Sequence, residues 1–188
     1  MTAFWIFLGL VALIIFYAIA IYNKFVRLRV NVNEAWSDIE VQMKRRYNLV
    51  PNLVSTVKGY AKHEKGTFEA VTKARTAAMA AGNDPAKAGA AQGLLTGALK
   101  TLFAVAEAYP ALKADKGFQE LQAELSELED HIQKARRFYN GNVRENNTLV
   151  GQFPPNLIAR SFNFIKAEFF ELGEAEAAAV KQVPKVEF

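Results

Sequence analysis

Hydrophobic residues fill the start of the chain without interruption. No charged residue precedes Lys24, and residues 3–22 are uncharged and mostly apolar. A helix rises about 1.5 Å per residue, so this run is about 30 Å long, which is the thickness of the hydrocarbon core of a bilayer. Trp5 lies near one end and Tyr17 and Tyr22 near the other, as is typical of residues at membrane interfaces. The pattern predicts a single-pass membrane anchor over residues 1–23.

A cleaved signal peptide is the alternative interpretation of this run. Residues 18–20, Ala-Ile-Ala, offer a small-x-small cleavage site. The first 22 residues contain no Lys or Arg, however, whereas a signal peptide begins with positive charge. We therefore favour a retained anchor. Because Lys24, Arg27 and Arg29 follow the run, the positive-inside rule predicts that the N-terminus lies outside and the rest of the chain in the cytoplasm.

Beyond the anchor, apolar positions step by three and four residues, which is the period of helices packed in bundles or coiled coils. The first such stripe consists of Val32, Trp36, Ile39, Met43, Arg46, Val50, Leu53, Val57 and Tyr60. Neither Gly nor Pro occurs between Gly9 and Pro51, so we expect the anchor to continue into this stripe as one rigid helix. Pro51 lies within the stripe and predicts a kink.

Three further long helices and one short helix follow from the same period. We expect the long ones at about Thr67–Ala80, Pro85–Tyr109 and Asp115–Val150, with Gly82, Asp84 and Pro85 as capping residues at one break. The short one carries an aromatic stripe of Ile158, Phe162, Ile165, Phe169 and Leu172. The fold class is thus all-α: an N-terminal transmembrane helix continues into an antiparallel bundle of four long helices, with a short C-terminal amphipathic helix. The bundle covers residues 24–173, and residues 174–188 form a tail that is either disordered or an extended docking strand.

Polar residues interrupt the stripes at a few positions. Arg46 takes a buried position in the first stripe, and a buried cation needs a partner. The alternative is that its side chain reaches the edge of the stripe and water. In the stripe of the fourth helix the polar residues are Asn142 and Asn146, which would fix register and partner choice. We consider these candidate partners for Arg46: Glu107, Glu145, Asn142 and Asn146.

Two surfaces are candidates for contacts between copies of the chain. Gly89, Gly93 and Gly97 are spaced four apart, so they would let another backbone approach one helix face. A weak, frayed helix is the alternative for that segment. The aromatic face at Phe162 and Phe169 either packs on the bundle or contacts a membrane or another subunit.

Composition and charge exclude several classes of function. The chain has no Cys among 188 residues and only two His, which excludes thiol chemistry and makes a metal site improbable. No catalytic constellation is recognisable, so we predict a non-enzyme without cofactor, metal or small-molecule substrate. The net charge is +4, and residues 44–46, Lys-Arg-Arg, are too few to indicate nucleic-acid binding.

Four blocks of sequence carry a family resemblance. They are WSDIEVQMKRRYNLVPNLV at 36–54, YPALKADKGFQELQAELSELEDHIQKARRFYN at 109–140, FPPNLIA at 153–159 and FFEL at 169–172. Together they resemble the LemA family of bacterial membrane proteins. The resemblance implies one N-terminal span, a cytoplasmic helical bundle and no established enzymatic activity. It also implies links to membrane-protease function in some bacteria and to the building of magnetosome membranes.

The resemblance carries no catalytic residue over to this chain. Trp36, Arg46 and Pro51 match family motif positions of unproven role, and we interpret them as structural. We predict a scaffold in the bacterial cytoplasmic (inner) membrane that forms a homo-oligomer and organises or remodels the lipid bilayer. The alternative is an adaptor that regulates a membrane protease or another membrane protein.

Overall fold

The computed structural model describes residues 1–171, and in this part of the chain the regular structure is helical throughout. The helices are α1 (Thr2–Tyr60), α2 (Lys65–Ala80), α3 (Pro85–Glu107), α4 (Pro110–Lys113), α5 (Lys116–Gly151) and α6 (Pro155–Ser161). The all-α fold with four long helices and a short C-terminal helix is confirmed. The single turn of α4, which we did not predict, begins at Pro110 because proline suits the first position of a helix.

The longest helix, α1, joins the apolar run to the first packed stripe. It contains 59 residues without a break, which confirms the predicted continuity. Pro51 lies inside α1, and the helix continues for another nine residues to Tyr60. Proline lacks an N–H group, so its position leaves the carbonyl of Tyr47 without the usual helical donor. The kink at Pro51 stays a prediction.

Capping residues set the boundary between α2 and α3. The carboxylate of Asp84 accepts a hydrogen bond from the backbone N–H of Lys87 at 3.0 Å, and Pro85 takes the first helical position. Gly82 has a φ of 63°, which is the left-handed conformation that glycine adopts without strain. Asp115 caps α5 in the same way and accepts from the N–H of Phe118 at 2.8 Å. That hydrogen bond is the main cause that lowers the pKa of Asp115, and a hydrogen bond from the hydroxyl of Tyr60 is the second.

The chain forms two compact units, and α1 and α5 each contribute to both of them. The first unit consists of Met1–Asp38 and Arg137–Glu168. Its core contains residues from α1, α5 and α6, with the rings of Phe25 and Phe164 stacked at 4.8 Å. The buried residues of this core are Phe25, Leu28, Leu149, Ala159 and Phe164.

The second unit consists of Ile39–Arg136 and, among the described residues that follow, Phe169–Glu171. Its core combines the later part of α1 with α2, α3, α4 and the earlier part of α5. The largest side chains that are completely buried there are Ile39, Val50, Leu53, Val57, Val71, Leu95, Leu102, Leu112 and Phe170. Those in α1, α2 and α3 follow the apolar stripes of the sequence, because each helix buries the one face that carries its aliphatic residues. Leu112 in α4 and Phe170 in the C-terminal part of the chain lie outside the predicted stripes.

The C-terminal part of the described chain differs from the prediction. The short helix exists, but it ends at Ser161 and does not continue along the aromatic stripe. Asn163 has a φ of 55°, in the left-handed region, and residues 164–171, here named the C-terminal segment, contain no helix. Phe164 donates its N–H to the carbonyl of Ala159 at 2.9 Å, which closes the end of α6. Leu172 and the predicted tail at 174–188 lie outside the described residues.

Candidate functional site

The first half of α1 is the clearest functional feature. Within residues 1–171, α1 is the one helix that is long and apolar enough to cross a membrane by length and composition. Its most apolar window is not buried by any other part of the described chain. Trp5, Tyr17 and Tyr22, the predicted interface residues, are all exposed. An exposed apolar helix of this length has the dimensions of a membrane span.

Arg46 is the centre of a polar network inside the second unit. Its side chain is buried, with an exposed fraction of 2% for the residue. One guanidinium nitrogen lies 3.0 Å from a carboxylate oxygen of Glu129 and donates to the hydroxyl of Thr96 at 2.9 Å. Another donates to the side-chain oxygen of Gln92 at 3.1 Å. Arg46 therefore lies in the helix interface, as its phase predicts, and it pairs with an acid there.

The acidic partner is not one that the sequence suggested. Glu129 lies on α5 next to the buried Leu128, and its side chain reaches Arg46 from the edge of the interface. Among the candidates we considered, Glu107 is exposed, and Glu145 lies 3.8 Å from Lys24 in the first unit. Successive side chains of a helix point about 100° apart, so Glu129 lies outside the stripe of buried positions that contains Leu128. A search limited to buried positions therefore misses a long acidic side chain that reaches the interface from beside the stripe.

Tyr47 extends this network to α2. Its hydroxyl accepts a hydrogen bond from the side-chain nitrogen of Gln92 and donates to the carbonyl of Ala78 at 3.2 Å. The side chain of Arg75 donates to the backbone carbonyl of Tyr47 at 2.7 Å. Burial raises the pKa of Tyr47, although the nearby Arg46 opposes this shift. Charged and neutral hydrogen bonds thus join α1, α2, α3 and α5. We name this network of Arg46, Tyr47, Gln92, Thr96 and Glu129 the clamp and interpret it as structural.

A second polar network holds the C-terminal segment within the first unit. The amide of Asn147 forms a reciprocal pair with the backbone of Ala167, with both hydrogen bonds at 2.8 Å. Asn146 donates to the carbonyl of Ile165 at 3.2 Å. The hydroxyl of Tyr139 donates to the carbonyl of Glu168 at 2.8 Å, and burial raises its pKa to about 12. Side chains of α5 therefore replace the helical hydrogen bonds that these backbone groups would otherwise make.

Of the two asparagines predicted to be buried in the stripe of α5, Asn146 is buried and Asn142 is only half-buried. Asn146 is buried as predicted, but it bonds to the backbone of the non-helical C-terminal segment and not to a neighbouring helix. Asn142 is half-buried and donates to the carbonyl of Phe138 on its own helix at 3.1 Å, while Val143 takes the buried position. The departure is local, because Tyr139, Asn146 and Leu149 keep the buried positions that the stripe predicts and an aliphatic side chain replaces a polar one only at 143. Tyr139, which belongs to the apolar stripe of this helix and to the block at 109–140, acts together with Asn146 and Asn147. Asn147 lies beside the stripe, and its one signal in the sequence is the adjacent Asn pair in a helix.

Trp36, another motif residue, is buried in the first unit. Its indole ring lies 5.4 Å from the ring of Tyr139, in a tilted arrangement. This contact pairs α1 with α5 near the point where Tyr139 bonds to the C-terminal segment. The position of Trp36 agrees with a structural role.

In the second unit, the C-terminal segment crosses the glycine run of α3. A methyl group at Gly89 would overlap the backbone carbonyl oxygen of Glu171 and lie 2.9 Å from its carbonyl carbon. Arg136 donates to the carbonyl of Phe170 at 3.1 Å on the same stretch. Gly89 is therefore covered within the chain, and Gly93 is half-buried. Gly97 is exposed, with nothing within 4 Å of the position of a methyl group.

Several large apolar side chains are exposed outside the candidate span. Leu94 on α3 is 64% exposed and lies one turn before Gly97. Phe162 is also exposed, whereas Phe169 is half-buried. In the described part of the chain, no group of three or more His, Asp or Glu residues is arranged to hold a metal ion.

The fold and these features define a class of protein: an α-helical protein in which one long helix joins a candidate membrane span to a packed bundle. The family can also be stated. The chain belongs to the LemA family, because the family model matches residues 35–188. That match extends from Ala35, next to the motif residue Trp36, and it includes the clamp around Arg46.

Curated relatives agree with this assignment. "Magnetosome protein MamQ 2" of Paramagnetospirillum magneticum is 27% identical over 175 residues, with 80% of this chain and 64% of the relative covered. "Magnetosome protein MamQ" of Magnetospirillum gryphiswaldense is 26% identical, with 79% and 64% covered. "Protein LemA" of Metamycoplasma hominis is 27% identical, with 84% and 72% covered. The chain therefore spans less than two thirds of the length of these magnetosome proteins.

Proposed function

We propose that this protein is a non-enzymatic scaffold in the bacterial cytoplasmic membrane. Residues 3–22 of α1 anchor it in the bilayer, and the following basic residues, Lys24, Arg27 and Arg29, place the bundle in the cytoplasm. Copies of the chain associate side by side and thereby organise or remodel the membrane. Kinship with proteins named as magnetosome proteins supports a role at a specialised membrane.

The observation that carries the assembly step is an exposed face of α3. This α3 face consists of small or apolar residues that step by three and four and carry no charge: Ala90, Leu94, Gly97, Thr101 and Ala104. Leu94 stands out at its centre, and the open space at Gly97 lets another backbone approach. An exposed apolar face of this kind is typical of a contact between proteins.

Confinement to a membrane strengthens such a contact. Molecules anchored in the same plane meet at a high effective concentration, so that modest side-by-side affinity is sufficient for assembly. Anchorage and the α3 face therefore act together in the proposal. Neither feature requires an enzymatic site.

The mass of the purified protein tests this proposal. The full chain is extracted in a mild detergent, and its protein mass is measured by size-exclusion chromatography with light scattering. We expect a multiple of the 20.9 kDa monomer. Leu94→Glu and Gly97→Leu should shift the protein to the monomer, since a charge or a large side chain would disrupt close packing on the α3 face.

A matched control is available on α5. Ala123 is an exposed alanine in a helix, so Ala123→Glu introduces a comparable charge away from the α3 face and should leave the mass unchanged. A monomeric wild type at micromolar concentration, both in detergent and by cross-linking in native membranes, would refute the scaffold. Imaging of the protein in vesicles by cryo-electron microscopy then tests whether assembly changes the shape of the bilayer.

An adaptor for another membrane protein, such as a protease, is the second candidate. The observation that favours it is an open cavity of about 710 Å³ on α1 and α2, lined in part by Val54, Phe68 and Ala77. A helix or loop of a partner would fit an apolar groove of this kind. Under this alternative the purified protein is monomeric, and Ala77→Arg abolishes association with the partner while Leu94→Glu does not.

A further inference from the structure

Three large apolar side chains are exposed around α6. Phe153, Leu157 and Phe162 are 74%, 55% and 58% exposed, respectively, and we name this group the α6 surface. Single exposed apolar residues are common on proteins. Here three large ones lie within ten residues of chain at the two ends and on the exposed side of one short helix, and exposed apolar residues concentrated in this way are typical of contact surfaces.

Contacts within the first unit locate the α6 surface along α1. The ring of Phe162 lies 4.9 Å from the ring of Tyr22 in an edge-to-face arrangement. Ile21 packs against the same core as Val150 and Ile158. Ile21 and Tyr22 are the last residues of the uncharged run. The α6 surface therefore lies beside the end of the candidate span and not further along the helix.

Exposed basic residues follow the end of the uncharged run on α1, and one lies on α6 itself. Lys24 and Arg27 follow the uncharged run on α1, and Arg160 lies on α6 one turn after Leu157, with all three side chains exposed. Lys24 lies 3.8 Å from a carboxylate oxygen of Glu145, and the guanidinium of Arg29 lies over the ring of Phe164 at 5.3 Å. Aromatic and aliphatic side chains beside basic ones are the composition of protein segments that lie in the headgroup region of a bilayer.

We propose that the α6 surface inserts into the boundary between headgroups and acyl chains of the bilayer that α1 spans. It would be a second, shallow membrane contact, with Arg27 and Arg160 positioned for lipid phosphates. A helix of seven residues is too short to hold a membrane by itself, but here the core of the first unit keeps it at the end of the span. This inference rests on the proposed anchorage by α1 and does not depend on self-assembly.

The absence of cysteine from the sequence makes a direct test practical. Single cysteines replace Phe153 or Leu157 in the full chain and receive an environment-sensitive NBD fluorophore. The labelled protein is reconstituted in vesicles of phosphatidylethanolamine and phosphatidylglycerol that contain nitroxide lipids. The nitroxide lies either near the headgroup or near the end of the acyl chain. Circular dichroism checks that each variant keeps its helices.

Two control positions calibrate the depth. Leu10→Cys lies in the middle of the uncharged run and reports whether α1 spans the bilayer. Met79→Cys lies on α2, where it is an exposed apolar residue in the second unit, and reports a surface in water. We expect labels at 153 and 157 to emit at shorter wavelength and to be quenched more by the shallow nitroxide than by the deep one. The label at 10 should show the reverse preference, and the label at 79 should be quenched by neither.

Each other outcome overturns the inference in a distinguishable way. If the label at 10 is quenched but those at 153 and 157 behave like the one at 79, the α6 surface is in water although the anchor holds. If none of the labels is quenched, both the anchorage and the inference fail. If the labels at 153 and 157 shift in emission without quenching, and the shift disappears on dilution of the protein in lipid, a second copy covers the surface and the lipid contact is refuted.

Discussion

Replacing Glu129 by leucine removes the carboxylate that lies 3.0 Å from a guanidinium nitrogen of Arg46. The arginine then stays almost completely buried, with hydrogen bonds to the neutral side chains of Gln92 and Thr96. Because the guanidinium is buried, water cannot solvate it in place of the lost carboxylate. We therefore expect Glu129→Leu to lower the free energy of unfolding.

The structure sets the size of this effect. Removing one partner of a fully buried ion pair costs about 3–5 kcal/mol. The Glu129 side chain is 34% exposed, so part of its attraction to Arg46 is already screened by water. The remaining hydrogen bonds to Gln92 and Thr96 also lessen the loss. We expect a decrease of about 2–3 kcal/mol, below the range for a fully buried pair.

A double-mutant cycle measures the interaction itself. Arg46→Met removes the buried charge and keeps much of the side-chain volume, so the pair Arg46→Met and Glu129→Leu leaves an apolar interface. We expect the double variant to be more stable than Glu129→Leu alone, with a coupling energy of about 1–2 kcal/mol. The measurement is urea unfolding of the full chain in detergent, followed by circular dichroism.

The neighbouring Glu127 provides the control for this cycle. It is exposed on the same helix, and a carboxylate oxygen of Glu127 lies 3.5 Å from the imidazole of His131, so Glu127→Leu should change stability by no more than about 0.5 kcal/mol. If the effects of Arg46→Met and Glu129→Leu add to within about 0.3–0.5 kcal/mol, the two side chains do not interact energetically and the clamp interpretation is refuted.

Three further predictions concern the C-terminal segment. Gly89→Ala should destabilise the protein by about 1–3 kcal/mol, because the added methyl group overlaps the backbone of that segment. Gly97→Ala on the same helix meets no such overlap and should stabilise the protein by about 0.5–1 kcal/mol. Equal effects of the two variants in thermal unfolding would contradict this. Asn147→Ala should cost about 2 kcal/mol and speed hydrogen exchange at residues 165–168, while Asn142→Ala, which loses a bond within its own helix, should have little effect. The raised pKa of Tyr139 means that the folded state favours the neutral phenol, so this phenol stabilises the fold fully below pH 10 and the stabilisation is lost as the pH rises towards about 12. Tyr139→Phe should therefore lose less unfolding free energy than the wild type over that interval. The same dependence of unfolding free energy on pH in both proteins would count against the shift.

Local physical chemistry accounts for what the sequence alone could predict. The candidate membrane span follows from the number of consecutive uncharged residues, and the long helices follow from apolar positions at helical spacing. The boundary at Gly82, Asp84 and Pro85 follows from capping, which involves only neighbouring residues. The burial of Arg46 is predicted in the same way, since its phase on α1 is a local property. All of these depend on short stretches of chain, so they can be determined without knowledge of what packs against them.

Only the tertiary structure determines which side chains pair with Arg46 and which backbone groups bond to the side chains of α5. Glu129 is 83 residues from Arg46 and lies beside the predicted stripe, so nothing in the sequence singles it out. The aromatic stripe after Ser161 has helical spacing, yet it is not helical there, and Asn146, Asn147 and Tyr139 bond to its backbone. The same segment covers Gly89, which local pattern assigned to a contact between copies. Hydrogen bonds from distant side chains outweigh a local preference of a few tenths of a kcal/mol per residue, and only the folded chain brings those side chains within reach.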